Sequence, residues 1–185
     1  MNPAAASLAA LVLAVGVGGP APGQGLGACI WSRLSNAEHS RVLTAYAHDM
    51  GAGAAALEKL DARARAGAAG CAGRRDIPAA WVQTLVGAEA VQIHAASVIP
   101  ADRARLDALW KAAPAGVAAC VRANGRLAFS PNAMGCADPA ATQWVLSHVG
   151  VRQGQAAAAQ AIFYFNAKAI GEWGDRLVAK LKPAG

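Results

Sequence analysis

Residues 78–98 read PAAWVQTLVGAEAVQIHAASV, the pattern of a long amphipathic helix on which our fold prediction is built. Pro78 suits the first turn of a helix, because its fixed φ is already helical and the N–H that it lacks would have no partner there. Apolar residues then recur at helical spacing as far as Val98, shortly before Pro100. The apolar face of this predicted helix carries Trp81, Val82, Leu85, Val86 and Ile93. The face that we expect to meet water carries Gln83, Gly87, Ala90, His94 and Ser97.

Glu89 lies in the middle of this apolar face. A carboxylate buried there must be paired, accept hydrogen bonds or stay protonated. One interpretation is structural: Glu89 pairs with an arginine or accepts a hydrogen bond from Asn166, Gln160 or Tyr164 of the last helix. The other is functional: Glu89 contacts a ligand, or acts as a general acid, in a cleft between helices. Gln92 flanks the same face, so the candidate ligand-binding residues are Glu89, Gln92 and Asn166, and Glu89 is the candidate catalytic residue.

A long helix is predicted before this one. Ser35 and Glu38 form an S-x-x-E capping box, which predicts a helix that begins at Asn36. Small and apolar residues then alternate at spacings of three and four, so we predict one helix of roughly 30 residues. Gly51 and Gly53 fall inside it, so either another helix approaches closely there or the helix kinks, and we favour the close approach.

Three short helices are predicted after Pro100. The first has Asp102 as its N-cap. The second begins at Pro114 and ends at Asn124-Gly125, a pair that is typical of a left-handed cap. The third begins at Asp138-Pro139 and ends at Gly150.

The last predicted helix runs from about residue 152 to residue 181. Its apolar face carries Phe163, Ala167, Ile170, Gly174, Leu177 and Leu181. Its polar face carries Lys168, Glu172, Asp175 and Arg176. Phe165 points toward this polar face, so it either packs under a short helix or marks an exposed contact patch.

Composition agrees with an all-helical domain. The chain has 185 residues and 50 alanines, and alanine is the strongest helix former. Long β-branched runs are scarce. We predict an all-α, disulfide-stapled helical bundle with two or three long helices and shorter helices packed across them.

Residues 1–28 are predicted to be an export signal. The chain is apolar from Ala4 to Val17, except for Ser7, and then breaks into glycines, prolines and other small residues. This run is shorter than the roughly 20 apolar residues that a membrane span requires. We therefore divide the chain into a signal peptide, residues 1–28, and one helical domain, residues 29–185. The protein is expected to be periplasmic or secreted, with no transmembrane helix in the mature chain.

All four cysteines lie beyond this signal. An even number of cysteines in an exported chain predicts disulfides, and we favour the pairs Cys120–Cys136 and Cys29–Cys71. An alternative takes Leu26-Gly27-Ala28-Cys29 as a lipobox, which would make the protein an envelope lipoprotein anchored through Cys29. That alternative leaves three cysteines for disulfide formation, so one of them would have no partner.

The sequence contains no recognised catalytic or cofactor motif. G-x-S-x-G, G-x-x-x-x-G-K-[ST], H-E-x-x-H and C-x-x-C are all absent, so we predict neither a cofactor nor a metal site. The net charge of +6 comes from scattered basic residues, without the basic stripe and interleaved aromatics of a nucleic-acid-binding protein. An anionic envelope component or a protein partner fits this charge better.

Two classes of function therefore remain open. The first is a non-catalytic binding or structural module of the envelope. The second is an envelope-polysaccharide hydrolase in which Glu89 is the general acid. Such an enzyme normally needs a second carboxylate, about 5 to 10 Å from the first. The candidates for that second carboxylate are Asp49, Glu58, Asp61 and Asp76.

Overall fold

A computed structural model describes residues 25–73, 75–130 and 132–182. Every regular element in these ranges is an α-helix, which confirms the all-α prediction. The nine helices of the described residues are α1 (Leu26–Trp31), α2 (Asn36–His48), α3 (Met50–Glu58), α4 (Asp61–Cys71), α5 (Ala79–Val98), α6 (Arg103–Ala112), α7 (Ala115–Arg126), α8 (Pro139–Val149) and α9 (Ala156–Ala179). None of them contains an apolar stretch long enough to cross a bilayer.

The two longest helices, α5 and α9, pack against each other at the centre of the bundle. The N-terminal half of α5 packs with α1, α2, α3 and α4 in one hydrophobic cluster. Its C-terminal end joins α6, α7, α8 and the first half of α9 in a second cluster. Because α5 takes part in both clusters, it holds the two halves of the fold together.

The face of α5 that we expected to meet water is largely buried. Ala90 is 0% exposed, and a Cβ at Gly87 would lie 3.1 Å from Leu57 of α3. Only Ser97 on that face is exposed. The prediction was wrong because alanine and glycine tolerate burial as readily as exposure, and here they let helices pack on both sides of α5.

The long helix predicted from Asn36 is three helices. The capping box is present, with the Ser35 side chain accepting from the Glu38 N–H. The helix then stops at Asp49, which has an extended backbone and caps α3 by accepting the Ala52 N–H at 2.7 Å. A Cβ at Gly53 would overlap the Tyr46 ring, so the close approach is between α2 and α3, two parts of the predicted single helix. The break at Asp49 corresponds to the kink, the less favoured of the two alternatives.

Two other helix boundaries differ from the prediction. Gly125 does not end α7, which continues to Arg126. Glycine is needed there for packing, because a Cβ would come within 2.9 Å of Ala169 on α9. Helix α9 begins at Ala156, four residues later than predicted, after a turn in which the Arg152 N–H donates to Gln155 at 2.7 Å. The predicted N-caps Asp102 and Asp138 are both present.

Both predicted cysteine pairs lie at disulfide distance. Cys29 and Cys71 join α1 to α4, with their Cα atoms 5.9 Å apart. Cys120 of α7 joins Cys136, with a Cα–Cα distance of 5.0 Å. The diacylglyceryl thioether of a lipoprotein would need the same Cys29 sulfur that lies at bonding distance from Cys71, and the lipoprotein alternative stays a prediction.

Helix α1 includes the last three residues that we assigned to the export signal. A Cβ at Gly27 would overlap the Leu85 carbonyl oxygen, so α1 packs tightly on α5. Residues 1–24, and with them nearly all of the predicted signal, lie outside the described residues.

Candidate ligand-binding cleft

A cavity of about 650 Å³ lies between α1, α5, α6 and α9. We call it the central cleft. Its volume falls within the range of roughly 300 to 1,000 Å³ that small-molecule sites occupy. Its lining is unusually polar for such a site, since six of the lining residues carry charged side chains: Glu89, Arg103, Asp107, Lys168, Glu172 and Asp175.

Helix α5 provides one wall of the central cleft. Leu85, Glu89, Gln92 and Ile93 line it, and their spacing of four, three and one residues puts them on one face of a helix. Glu89 is 7% exposed. Both of its oxygens accept hydrogen bonds from Arg103 of α6, at 2.7 and 3.0 Å.

The fold accommodates the buried Glu89 carboxylate through this bidentate pair with Arg103. The hydrogen bonds that Arg103 donates to Glu89 raise the pKa of Arg103 above its ordinary value. A guanidinium held in this fork geometry matches a carboxylate and fixes its orientation. Among the partners predicted for Glu89, the structure shows an arginine. It also places the Glu89 carboxylate in the wall of the cleft.

Helix α9 provides the facing wall. Lys168, Gly171, Glu172 and Asp175 line the cleft and follow each other at spacings of three, one and three residues. Three of these residues, Lys168, Glu172 and Asp175, belong to the predicted polar face of the last helix, a pattern that is also typical of a surface in contact with water. They face the cleft instead, while Phe165 is 1% exposed and packs beside Trp110 of α6.

Lys168 and Asp107 form a second ion pair, with the ammonium nitrogen 2.6 Å from Oδ1. The Tyr164 hydroxyl donates to the same oxygen at 2.8 Å. Burial raises the pKa of Asp107, but these two hydrogen bonds and the positive charges of Lys168 and Arg103 together outweigh it, so the pKa lies below its ordinary value. Asp107 therefore stays charged at neutral pH.

Glu172 is held by two side chains that do not line the cleft. The Trp110 indole N–H donates to Oε1 at 2.5 Å, and Arg122 donates to Oε2 at 3.2 Å. The Arg122 guanidinium also lies over the Trp110 ring, 4.9 Å from its centre. The Glu172 charge is thus compensated from outside the cleft.

Asp175 differs from the other three carboxylates. Its Oδ1 accepts the backbone N–H of Leu26 at 2.9 Å, and none of the cations that the structure describes lies within ion-pair distance of it. Burial raises its pKa, and the neighbouring carboxylates Glu172 and Glu89 raise it further. Asp175 is the carboxyl of the cleft with the least compensated charge.

Gln92 carries an unused hydrogen-bond acceptor. The residue is 4% exposed, and its Nε2 donates to the Ala88 carbonyl at 3.3 Å. Its Oε1 is buried and accepts no hydrogen bond from the described residues. A buried acceptor without a donor costs about 1 to 3 kcal/mol.

The structure brings together two of the three predicted ligand-binding residues. Glu89 and Gln92 line the central cleft, whereas Asn166 lies in a separate pocket of about 60 Å³ beside Cys120 and Cys136. Whether Glu89 and Gln92 bind a ligand stays a prediction.

The second carboxylate of the hydrolase hypothesis was sought in the wrong part of the chain. Asp49, Glu58 and Asp76 do not line the cleft, and the side chain of Asp61 lies outside the described residues. The carboxylates that share the cleft with Glu89 are Asp107, Glu172 and Asp175. No three His, Cys, Asp or Glu residues in the described ranges are arranged to hold a metal ion.

Comparison of this chain with models of protein families, with curated proteins and with solved structures found no match. No ligand or activity is therefore transferred from a relative, and the chemistry of the central cleft alone supports a function.

Proposed function

We propose that this chain is an exported binding module that holds a small polar molecule in the central cleft without transforming it. The observation that carries the proposal is the fixed polar lining of a cavity of about 650 Å³ in the middle of the bundle. Ion pairs from different helices lock these side chains in place before any ligand arrives. Such preorganisation lowers the entropic cost of binding.

Gly171 gives independent support for a functional cavity. It lies inside α9, where glycine costs about 0.5 to 1 kcal/mol relative to alanine. A Cβ at this position would meet only the Gln92 amide nitrogen, at 4.0 Å, which is an ordinary contact. Helix packing therefore does not require glycine here, and the space that it leaves open belongs to the cleft.

The polysaccharide hydrolase is less well supported. A general acid must carry a proton that it can donate, whereas both oxygens of Glu89 are engaged by the Arg103 guanidinium. Asp175, with its raised pKa, would be the better proton donor in this cleft. The other charged side chains of the central cleft are held in ion pairs. Such pairs can orient and bind a ligand, but they offer it no proton.

Two cysteine pairs at disulfide distance support an extracytoplasmic location. Disulfides form and persist in oxidising compartments such as the periplasm and the medium. In the lipoprotein alternative, the lipid would be attached to the same Cys29 sulfur that this disulfide uses.

Binding is tested with a panel of small molecules of three kinds: alkylamines, short carboxylates and neutral sugars. Calorimetry or ligand-observed NMR should detect saturable binding of at least one kind, with one site per chain. Gly171→Leu fills the cleft and should weaken that binding at least tenfold. Gly116→Leu is the matched control, because Gly116 is exposed and no atom lies near its Cβ position. Failure of all three kinds to bind, or equal binding by Gly171→Leu, would refute the proposal, and turnover of the bound molecule would refute its non-catalytic part.

A further inference from the structure

Two arginines meet one tryptophan on the surface of the bundle. The Arg126 guanidinium of α7 lies 5.0 Å from the centre of the Trp173 ring of α9, and the Arg176 guanidinium lies 5.1 Å from it. Both distances are those of a cation–π contact. Trp173 is half-buried, the two arginines are exposed, and none of the three lines the central cleft. We call these three residues the Trp173 cluster.

The packing of α7 on α9 positions this cluster. A Cβ at Gly125 would come within 2.9 Å of Ala169, so the backbones of the two helices approach closely there. Trp173 lies one turn beyond Ala169 on the same side of α9. Because Arg126 directly follows Gly125, the close approach brings its side chain to the Trp173 ring. The cluster is therefore built on two packed helices.

Another arginine of α7 makes the same contact in the company of an anion. The Arg122 guanidinium lies 4.9 Å from the centre of the Trp110 ring. Glu172 accepts a hydrogen bond from the Trp110 indole N–H at 2.5 Å and another from Arg122 at 3.2 Å. A tryptophan and the arginine stacked on it can thus donate to one and the same oxyanion.

The Trp173 cluster has the same donors and no anion. Among the described residues, no carboxylate lies within ion-pair distance of Arg126 or Arg176, and the Trp173 indole N–H has no acceptor. The chain has 11 acidic residues, and the side chains of all except Asp61 are described. Asp61 begins α4, which packs chiefly on α1 and α5. No acidic side chain therefore fills the place that a glutamate fills in the other cluster.

We propose that the Trp173 cluster is a second binding site, which takes the phosphate group of a small phosphate monoester. Such a group carries a charge of about −1.5 to −2 at pH 7 and three acceptor oxygens. The guanidinium forks of Arg126 and Arg176 and the indole N–H supply the matching charge and donors. A carboxylate has one charge and would leave one guanidinium uncompensated. This inference goes beyond the proposed function and does not depend on it.

Three small molecules with the same three-carbon skeleton test the class of ligand: glycerol 3-phosphate, glycerate and glycerol. Binding is followed at pH 7, in low salt and without phosphate buffer, through the NMR signal of the Trp173 indole N–H. The chain has five tryptophans, and Trp173→Phe identifies the signal by its loss. We expect glycerol 3-phosphate to shift this signal saturably and to bind about fivefold more tightly than glycerate, because it engages one more exposed charge. Glycerol should leave the signal unmoved.

Matched variants identify the groups responsible. Arg126→Gln and Arg176→Gln each remove one charge from the cluster and should each weaken glycerol 3-phosphate binding about fivefold. Arg105→Gln removes one charge from an exposed arginine of α6 and should leave binding unchanged. Gly171→Leu, which fills the central cleft, should also leave it unchanged. Circular dichroism of each variant verifies that the helices are intact.

The contrary outcomes are distinct. If glycerol 3-phosphate leaves the wild-type signal unmoved, or binds both arginine variants as tightly as the wild type, the proposal is overturned. If glycerate binds as tightly as glycerol 3-phosphate, the site takes any oxyanion and the phosphate assignment is overturned. Vesicles of phosphatidylglycerol and of phosphatidylcholine test the lipid source. Retention on the former through Arg126 and Arg176, without binding of glycerol 3-phosphate, would assign the cluster to a membrane surface instead.

Discussion

Glu89 and Arg103 are 14 residues apart in the chain and meet in a bidentate pair that ties α5 to α6. The pair also forms part of the central cleft. The Glu89–Arg103 pair therefore stabilises the fold and also shapes the candidate site. Substitution of either residue is expected to change the stability of the fold and the shape of the site.

Glu89→Gln should lower the free energy of unfolding by about 1 to 3 kcal/mol, because it leaves the Arg103 guanidinium without its counter-charge. The loss is limited because the Arg103 side chain is 38% exposed and water can solvate part of it. Urea denaturation of the wild type and Glu89→Gln at pH 7 measures the difference. An unchanged or higher stability would show that the pair contributes nothing to the fold.

Asp175→Asn should stabilise the protein at pH 7. The pKa of Asp175 is raised in the folded state above its ordinary value of 3.8. The stability that this carboxyl contributes is therefore present below pH 3.8 and is lost as the pH rises through the folded-state pKa. The melting temperature of Asp175→Asn should exceed that of the wild type at pH 7, and the gap should close below about pH 3.8. A gap that widens in acid would contradict the direction of the shift.

Substitution by alanine at two glycines of α9 should change the free energy of unfolding in opposite directions. Gly171→Ala should raise the free energy of unfolding by about 0.5 to 1 kcal/mol, because the Cβ fits and helix propensity improves. Gly174→Ala should lower it by about 1 to 3 kcal/mol, because the Cβ would overlap Leu85 and approach Phe129 to 2.9 Å. Thermal melts of the two variants provide the comparison. Stabilisation by both substitutions would mean that α9 packs less tightly on α5 than described.

The processed chain should begin before Leu26. From the sequence, cleavage anywhere between about residues 19 and 29 is compatible with an export signal. The structure narrows this range, because the Leu26 N–H bonds Asp175 and Gly27 packs on α5. Intact-mass analysis of native material should show a chain that starts at or before Gly25 and is four hydrogens lighter than its reduced form. A full-length chain with four free thiols would contradict the export prediction.

Elements set by local chemistry were predictable. The Ser35–Glu38 capping box, the N-cap Asp102 and the stop at Gly150 each depend on residues within one turn, and all three are present. The break at Asp49 was missed, because the apolar pattern continues across it. The N-cap residue Asp49 and the packing of α3 back onto α2 both favour the interruption.

The central cleft could be predicted only in part. Glu89 and Gln92 stood out because a polar residue on an apolar helix face is unusual. The polar stripe of Lys168, Glu172 and Asp175 has the same pattern as a solvent-facing surface, so nothing in the sequence of α9 assigns it to a cavity. The tertiary contact between α5 and α9 gives this stripe its role.

Helix α1 is six residues long, too short to be stable in isolation, yet it closes one side of the cleft. The Cys29–Cys71 bond fastens it to α4. On the proposed function and export, the candidate site would depend on the redox state of its surroundings. A chain in a reducing cytosol would lack this fastening, and oxidation after translocation would complete the wall. Ligand binding to the central cleft, measured with and without a thiol reductant, should show this dependence, and on this proposal the oxidising compartment would switch the site on.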